Sequence, residues 1–112
     1  MKSFEKYHPL LTEHYKMDWL TAFPLKDIIL KIGSASETAK FINQQMRLVM
    51  ANQKLFYGVA DRSSNLFLGF VEITFIGETA QIDLSLDSDE IVLYLTEFLK
   101  SNFGVKKIFP RK

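Results

Sequence analysis

The stretch AQIDLSLDSDEIVLYLTEFL, residues 80–99, changes its periodicity across a junction of four residues. Ala80, Ile82, Leu84 and Leu86 fall on alternate positions, the spacing of a half-buried strand. Ile91, Val92, Leu95, Phe98 and Leu99 fall instead on a helical stripe. Between them lie Asp87, Ser88, Asp89 and Glu90, three acids and no glycine. A helix that opens directly after a strand presents unpaired amides and a partial positive charge, which is why such junctions often hold phosphate on a glycine-rich loop. This junction has the opposite chemistry.

The pattern on either side completes a fold. Residues 13–20, EHYKMDWL, alternate Tyr15, Met17 and Trp19 with Lys16 and Asp18, which predicts a strand with one buried face. Pro24 suits the first turn of a short helix through Ile28, Ile29 and Ile32, and Gly33 stands where a residue of positive φ closes it. A second helix opens at SASE, where Ser34 accepts from the Glu37 amide and Glu37 reaches back. Its stripe is Ala39, Ile42, Met46, Val49 and Met50. Strands are expected at 55–60 and 66–75, the latter apolar on both faces at its start and therefore central. DRSSN and GET make the turns around it. After the last helix Gly104 is the C-terminal cap, and VKKIF, residues 105–109, reads as a final strand stopped by Pro110. The order β-α-α-β-β-β-α-β predicts an α/β (α+β) fold, a mixed and mostly antiparallel sheet with helices packed on it.

Composition narrows the function classes. The 112 residues suffice for one hydrophobic core, so residues 1–112 are expected to form a single domain. A net charge of +1 gives no support to nucleic-acid binding, and the five bases of the tail KSNFGVKKIFPRK read as a solvated segment. The chain has no cysteine, hence no thiolate chemistry. His8 and His14 lack acidic or histidine partners at helical metal spacing, so no metal is expected. The N-terminal segment has no signal-peptide core, and no apolar run approaches the ~18 residues that span a bilayer. The expectation is a cytoplasmic protein without membrane contact.

The order of elements and the local sequences LLTEHYKMDWLTAFPLKDI, SASETAKFI, FYGVADRSSNLFLGFVEI and AQIDLSL together resemble the GNAT superfamily of acetyl-CoA-dependent N-acetyltransferases. The likeness is greatest to the branch with the ribosomal-protein alanine acetyltransferases, and it spans nearly the whole chain. It implies acetyl transfer from acetyl-CoA to an amine. It also implies that coenzyme contacts fall on Leu84, Ser85, Leu86, Asp87 and Ser88, around the end of the family's fourth strand. The chain departs from the family pattern in three ways. The Arg/Gln-x-x-Gly-x-Gly/Ala loop that receives pyrophosphate is missing. Gln81 stands where the family often has a Glu base. The sequence ends after the fifth expected strand, without the later helix and its Tyr acid.

These departures set the functional expectation. Asp87 is placed as the N-cap of the last helix with Glu90 as its capping-box partner, and Asp89 adds a charge to the first turn. Each carboxylate set ~4 Å from a phosphate costs roughly 1 kcal/mol in a water-like dielectric, so three weaken coenzyme binding by about two orders of magnitude. Acids in a first turn are also a common stabilising arrangement without function. Gln81 has no usable basicity, and Asp83, on the same strand face, could replace it by way of a water or be a solvated position. Two readings follow: an acetyltransferase homologue with weak or no catalysis, and a non-catalytic module acting through homodimerisation or protein binding. For the second, the expected partner surface is the exposed sheet edge at Val105–Phe109.

Overall fold

The alternating runs assemble into one six-stranded sheet whose spatial order follows chain order, β1 to β6. A computed structural model describes residues 4–111, with backbone alone at Glu5 and Arg111. The strands are β1 (Leu10–Leu11), β2 (Tyr15–Asp18), β3 (Lys54–Asp61), β4 (Phe67–Ile76), β5 (Thr79–Leu84) and β6 (Lys107–Arg111). The helices are α1 (Leu25–Ile32), α2 (Ala35–Met50) and α3 (Asp89–Phe103), with 3₁₀ turns at Phe4–Lys6 and Leu20–Ala22. Neighbouring strands are antiparallel from β1 to β5, and β6 returns parallel to β5 after the α3 crossover. This is the mixed, mostly antiparallel α/β arrangement expected, with β1 as an added strand.

Helices cover both faces. Phe75, Ile73 and Val71 of β4 point to the side of α3, where Phe75 stacks on Phe103 and meets Phe4 of the N-terminal turn. Phe70, one step out of phase, meets Phe41 of α2 on the opposite face, and Phe41 also packs on Phe56. Gly58 is required there: a Cβ on it would come within 2.9 Å of the Phe23 and Phe67 rings. The most enclosed strand is β3, buried from Leu55 to Ala60. β4, expected to be central, alternates buried and half-buried positions instead. β3 is the strand that has α2 on one face and the aromatic cluster of Tyr57, Trp19 and Tyr7 on the other.

Three local expectations are corrected. The inner face of α2 is Thr38, Gln45 and Val49, whereas Ala39 and Met50 of the expected stripe are exposed. Thr38 enters because its hydroxyl donates to the Ser34 carbonyl at 2.6 Å and arrives already satisfied. The last strand is shifted to 107–111 and contains Pro110. Lys107 donates to the Glu78 carbonyl and Pro110 is in register with Ile82, so the odd-numbered residues of β6 face β5. Pro110 therefore turns its missing donor outward, where an edge strand tolerates it. Finally, α3 is capped by Ser88, whose hydroxyl accepts from the Ile91 amide at 3.2 Å, one residue after the expected Asp87.

Candidate functional site

The junction that closes β5 and opens α3 consumes its own polar groups. Ser85 donates its amide hydrogen to the Phe70 carbonyl at 3.0 Å, and its hydroxyl accepts the Phe70 amide hydrogen at 2.8 Å. Ser85 thereby extends the β4–β5 ladder one step beyond Leu84. Leu84 is buried on the α3 side, and Leu86 is half-buried beside Gly69. Ser88 is committed to Ile91, while Asp87 and Asp89 are exposed. The five residues expected to contact a coenzyme thus lie together at one end of the sheet.

Glu90 is the group that the sequence reading misplaced. It does not reach back as a capping-box partner; it leaves the helix for the turn between β1 and β2. Its Oε2 accepts from the Thr12 hydroxyl and, at 2.8 Å, from the His14 amide; its Oε1 faces His14 Nδ1 at 2.7 Å. The Thr12 hydroxyl bond, followed by the His14 imidazole and amide bonds, holds the carboxyl down at about 2. The same contact raises His14, first through the hydrogen bond to Glu90 and then through the charges of Glu90, Glu13 and Asp61. Arg62, on the β3–β4 turn, grips the Thr12–His14 turn from behind: Nη1 donates to the Thr12 carbonyl at 2.7 Å and its amide to the His14 carbonyl at 2.9 Å. Glu13, His14, Asp61, Arg62 and Ser63 line a cavity of about 400 Å³ beside this contact. No local signal in the sequence points to it, because 76 residues separate His14 from Glu90.

Gln81 and Asp83 lie on the face opposite α3, in register with Thr74 and Glu72 of β4. Gln81 Nε2 donates to Asp83 Oδ2 at 3.2 Å, and Lys54 pairs with Glu72 alongside. The two residues named as candidates for the acid–base role are therefore brought together, as a polar patch on a half-buried sheet face. Both precede the β5–α3 junction on the strand, in phase with Ser85 and out of phase with buried Ile82 and Leu84.

The two histidines each have a carboxylate partner. His8 Nδ1 lies 2.8 Å from Asp18 Oδ1, and its ring meets Trp19 at a tilt of 36°. Among the described residues no group of three or more His, Asp or Glu side chains converges as a metal site. No helix among them is long and apolar enough to cross a membrane. Of the basic tail, Lys112 and the Arg111 side chain lie outside the described residues. A larger cleft, about 620 Å³, lies between α1 and the β3–β4 turn, lined by Leu30, Lys31, Leu66 and Phe67, apart from the residues above.

The comparison with solved structures bears on this arrangement. A chain from Vibrio cholerae, described as a candidate ribosomal-protein-serine acetyltransferase, superposes with a TM-score of 0.79 at 15% identity, over 91% of this chain and 72% of that one. The chain therefore shares that chain's fold, the GNAT-like mixed sheet with helices packed on it. No protein-family profile matches it. No curated protein matches it either. A shared fold leaves the chemistry to be argued from the site.

Proposed function

We propose that this is a GNAT-fold acetyltransferase homologue in which transfer from acetyl-CoA to an amine is weak or lost. The observation that carries the reading is Glu90. An ionised carboxylate, pinned by Thr12 and His14, stands in the first turn of α3, where a coenzyme pyrophosphate would need the helix amides. Ser88 has also committed its hydroxyl, and Asp89 adds an exposed acid beside the half-buried Glu90. These residues do not fit a pyrophosphate. The backbone of Leu84–Leu86 remains the segment through which coenzyme contact would be made. Gln81 supplies no base, and its amide is turned to Asp83.

Calorimetric titration of the chain with acetyl-CoA, in parallel with Asp89→Asn/Glu90→Gln, tests this. The expected result is no saturable heat from the wild type at micromolar ligand and a gain in the double variant. Micromolar binding by the wild type would return it to the catalytic members of the fold.

A second reading is supported by surface chemistry. Ile76 of β4 and Phe109 of the edge strand β6 are 80% and 54% exposed on the sheet face that carries Gln81. Two such apolar side chains on a face that ends in an open edge suit association with a second copy of the chain. Outward-turned Pro110 withholds one donor, so side chains more than backbone would have to hold the dimer together. Light scattering at high micromolar protein decides it: a monomer there removes this reading.

A further inference from the structure

Thr12 and His14 present three donors that converge on a single carboxylate. The Thr12 hydroxyl and the His14 amide both address Oε2 of Glu90, and the imidazole addresses Oε1. Nδ1 is assigned the proton from its carboxylate partner. Donors spread over both oxygens form an oxyanion receptor, and charge-assisted bonds of this type are the strong ones. The backbone of the receptor is held independently of its occupant. Arg62 bonds the carbonyls of both Thr12 and His14, the Thr12 amide bonds the Tyr15 carbonyl at 2.9 Å, and Thr12 is only 7% exposed.

We propose that Thr12 and His14 form an anion cradle, that the Glu90 carboxylate is its built-in occupant, and that a small oxyanion, phosphate or carboxylate, takes the same donors once that carboxylate is removed. The neighbouring cavity of about 400 Å³ gives such an ion a way in. A tethered group competes at an effective concentration of ~mM or above, so the intact chain stays closed to dilute external anions. Glu13 and Asp61 oppose a second negative charge nearby, and they limit the cradle to a small ion. The inference rests on the reading of the α3 start given above, and the two fail separately. Micromolar acetyl-CoA binding by the wild type would overturn the proposed function alone.

The test is a thermal-shift and NMR titration of Glu90→Ala with sodium phosphate and, in a separate arm, sodium acetate, at ionic strength matched with sodium chloride. The variant is expected to reach half-saturation at an anion concentration at least about ten-fold below that of the wild type, with shifts of the His14 amide and ring signals. Response in only one arm identifies which oxyanion the cradle prefers. Thr12→Val and His14→Gln, each placed in the Glu90→Ala background, are expected to abolish the gain. A folded Glu90→Ala chain no more responsive than wild type, or a response that survives both second substitutions, would overturn the cradle. Should Glu90→Ala not fold, Glu90→Gln, which keeps the length of the side chain without its charge, is titrated in its place, and the same outcomes support or overturn the cradle.

Discussion

The Ser85 hydroxyl accepts the Phe70 amide hydrogen and occupies the place where a Cβ on Gly69 would have to go. The two positions are therefore coupled. Gly69→Ala is expected to destabilise the fold by about 1–3 kcal/mol, the usual range for overpacking. In the Ser85→Ala background the same substitution should be milder, because the obstructing oxygen is gone and Leu86 Cδ2, at 3.3 Å, is the next neighbour. Urea denaturation of the four proteins of this cycle measures the coupling. Equal effects in both backgrounds would refute the steric account.

Ser88, rather than Asp87, begins α3. Ser88→Ala should lower stability by ~1 kcal/mol and Ser88→Gly by only a few tenths, the signature of a lost side-chain cap at a position of extended backbone. The same denaturation experiment reads it, and two equal losses would argue that the serine acts through packing.

The His14–Glu90 contact makes stability depend on pH in two windows. The folded-state pKa of His14 is raised above 6.5, so its contribution is complete below 6.5 and fades as pH rises through the folded value. Glu90 is depressed from 4.5 to about 2, so its contribution is present above 4.5 and disappears as pH falls toward 2. Thermal melts of wild type and His14→Gln from pH 5 to 9 should converge at the alkaline end. A gap that widens with pH would have the wrong sign.

Gln45 is 8% exposed, and its Oε1 has no hydrogen-bond partner among the described residues. Replacing a side chain whose carbonyl oxygen is buried and unpaired by an apolar group of similar length removes a desolvation penalty. Gln45→Met is expected to raise stability by about 1 kcal/mol, as measured by the midpoint of chemical unfolding. A loss of that size would point to a bound water at Oε1.

Where sequence reading succeeded, the signal was local. The alternation from Ala80 to Leu84 and the stripe from Ile91 to Leu99 are properties of neighbouring residues, and both elements formed where expected. It failed where a distant partner decided. The two-residue strand β1 exists because Leu10 and Leu11 pair with Met17 and Lys16, which no periodicity of two residues can announce. Helix α2 is rotated so that Thr38 and Gln45 face inward, a choice made by the Ser34 carbonyl and the packing of Phe41 rather than by hydropathy. The candidate site divides in the same way. The acidic junction is visible in the letters, whereas the use of Glu90 depends on a turn 76 residues earlier.

Trp19, the one tryptophan of the chain, lies between the His8 ring at 5.0 Å and the Tyr57 ring at 4.8 Å, with Asp18 bonded to both the His8 ring and the Trp19 amide. Its indole therefore serves as an intrinsic optical reporter for the docking of the segment from Phe4 to Pro9. Tryptophan emission, excited beyond the absorption of the four tyrosines, distinguishes release of that segment from melting of the sheet without any attached dye.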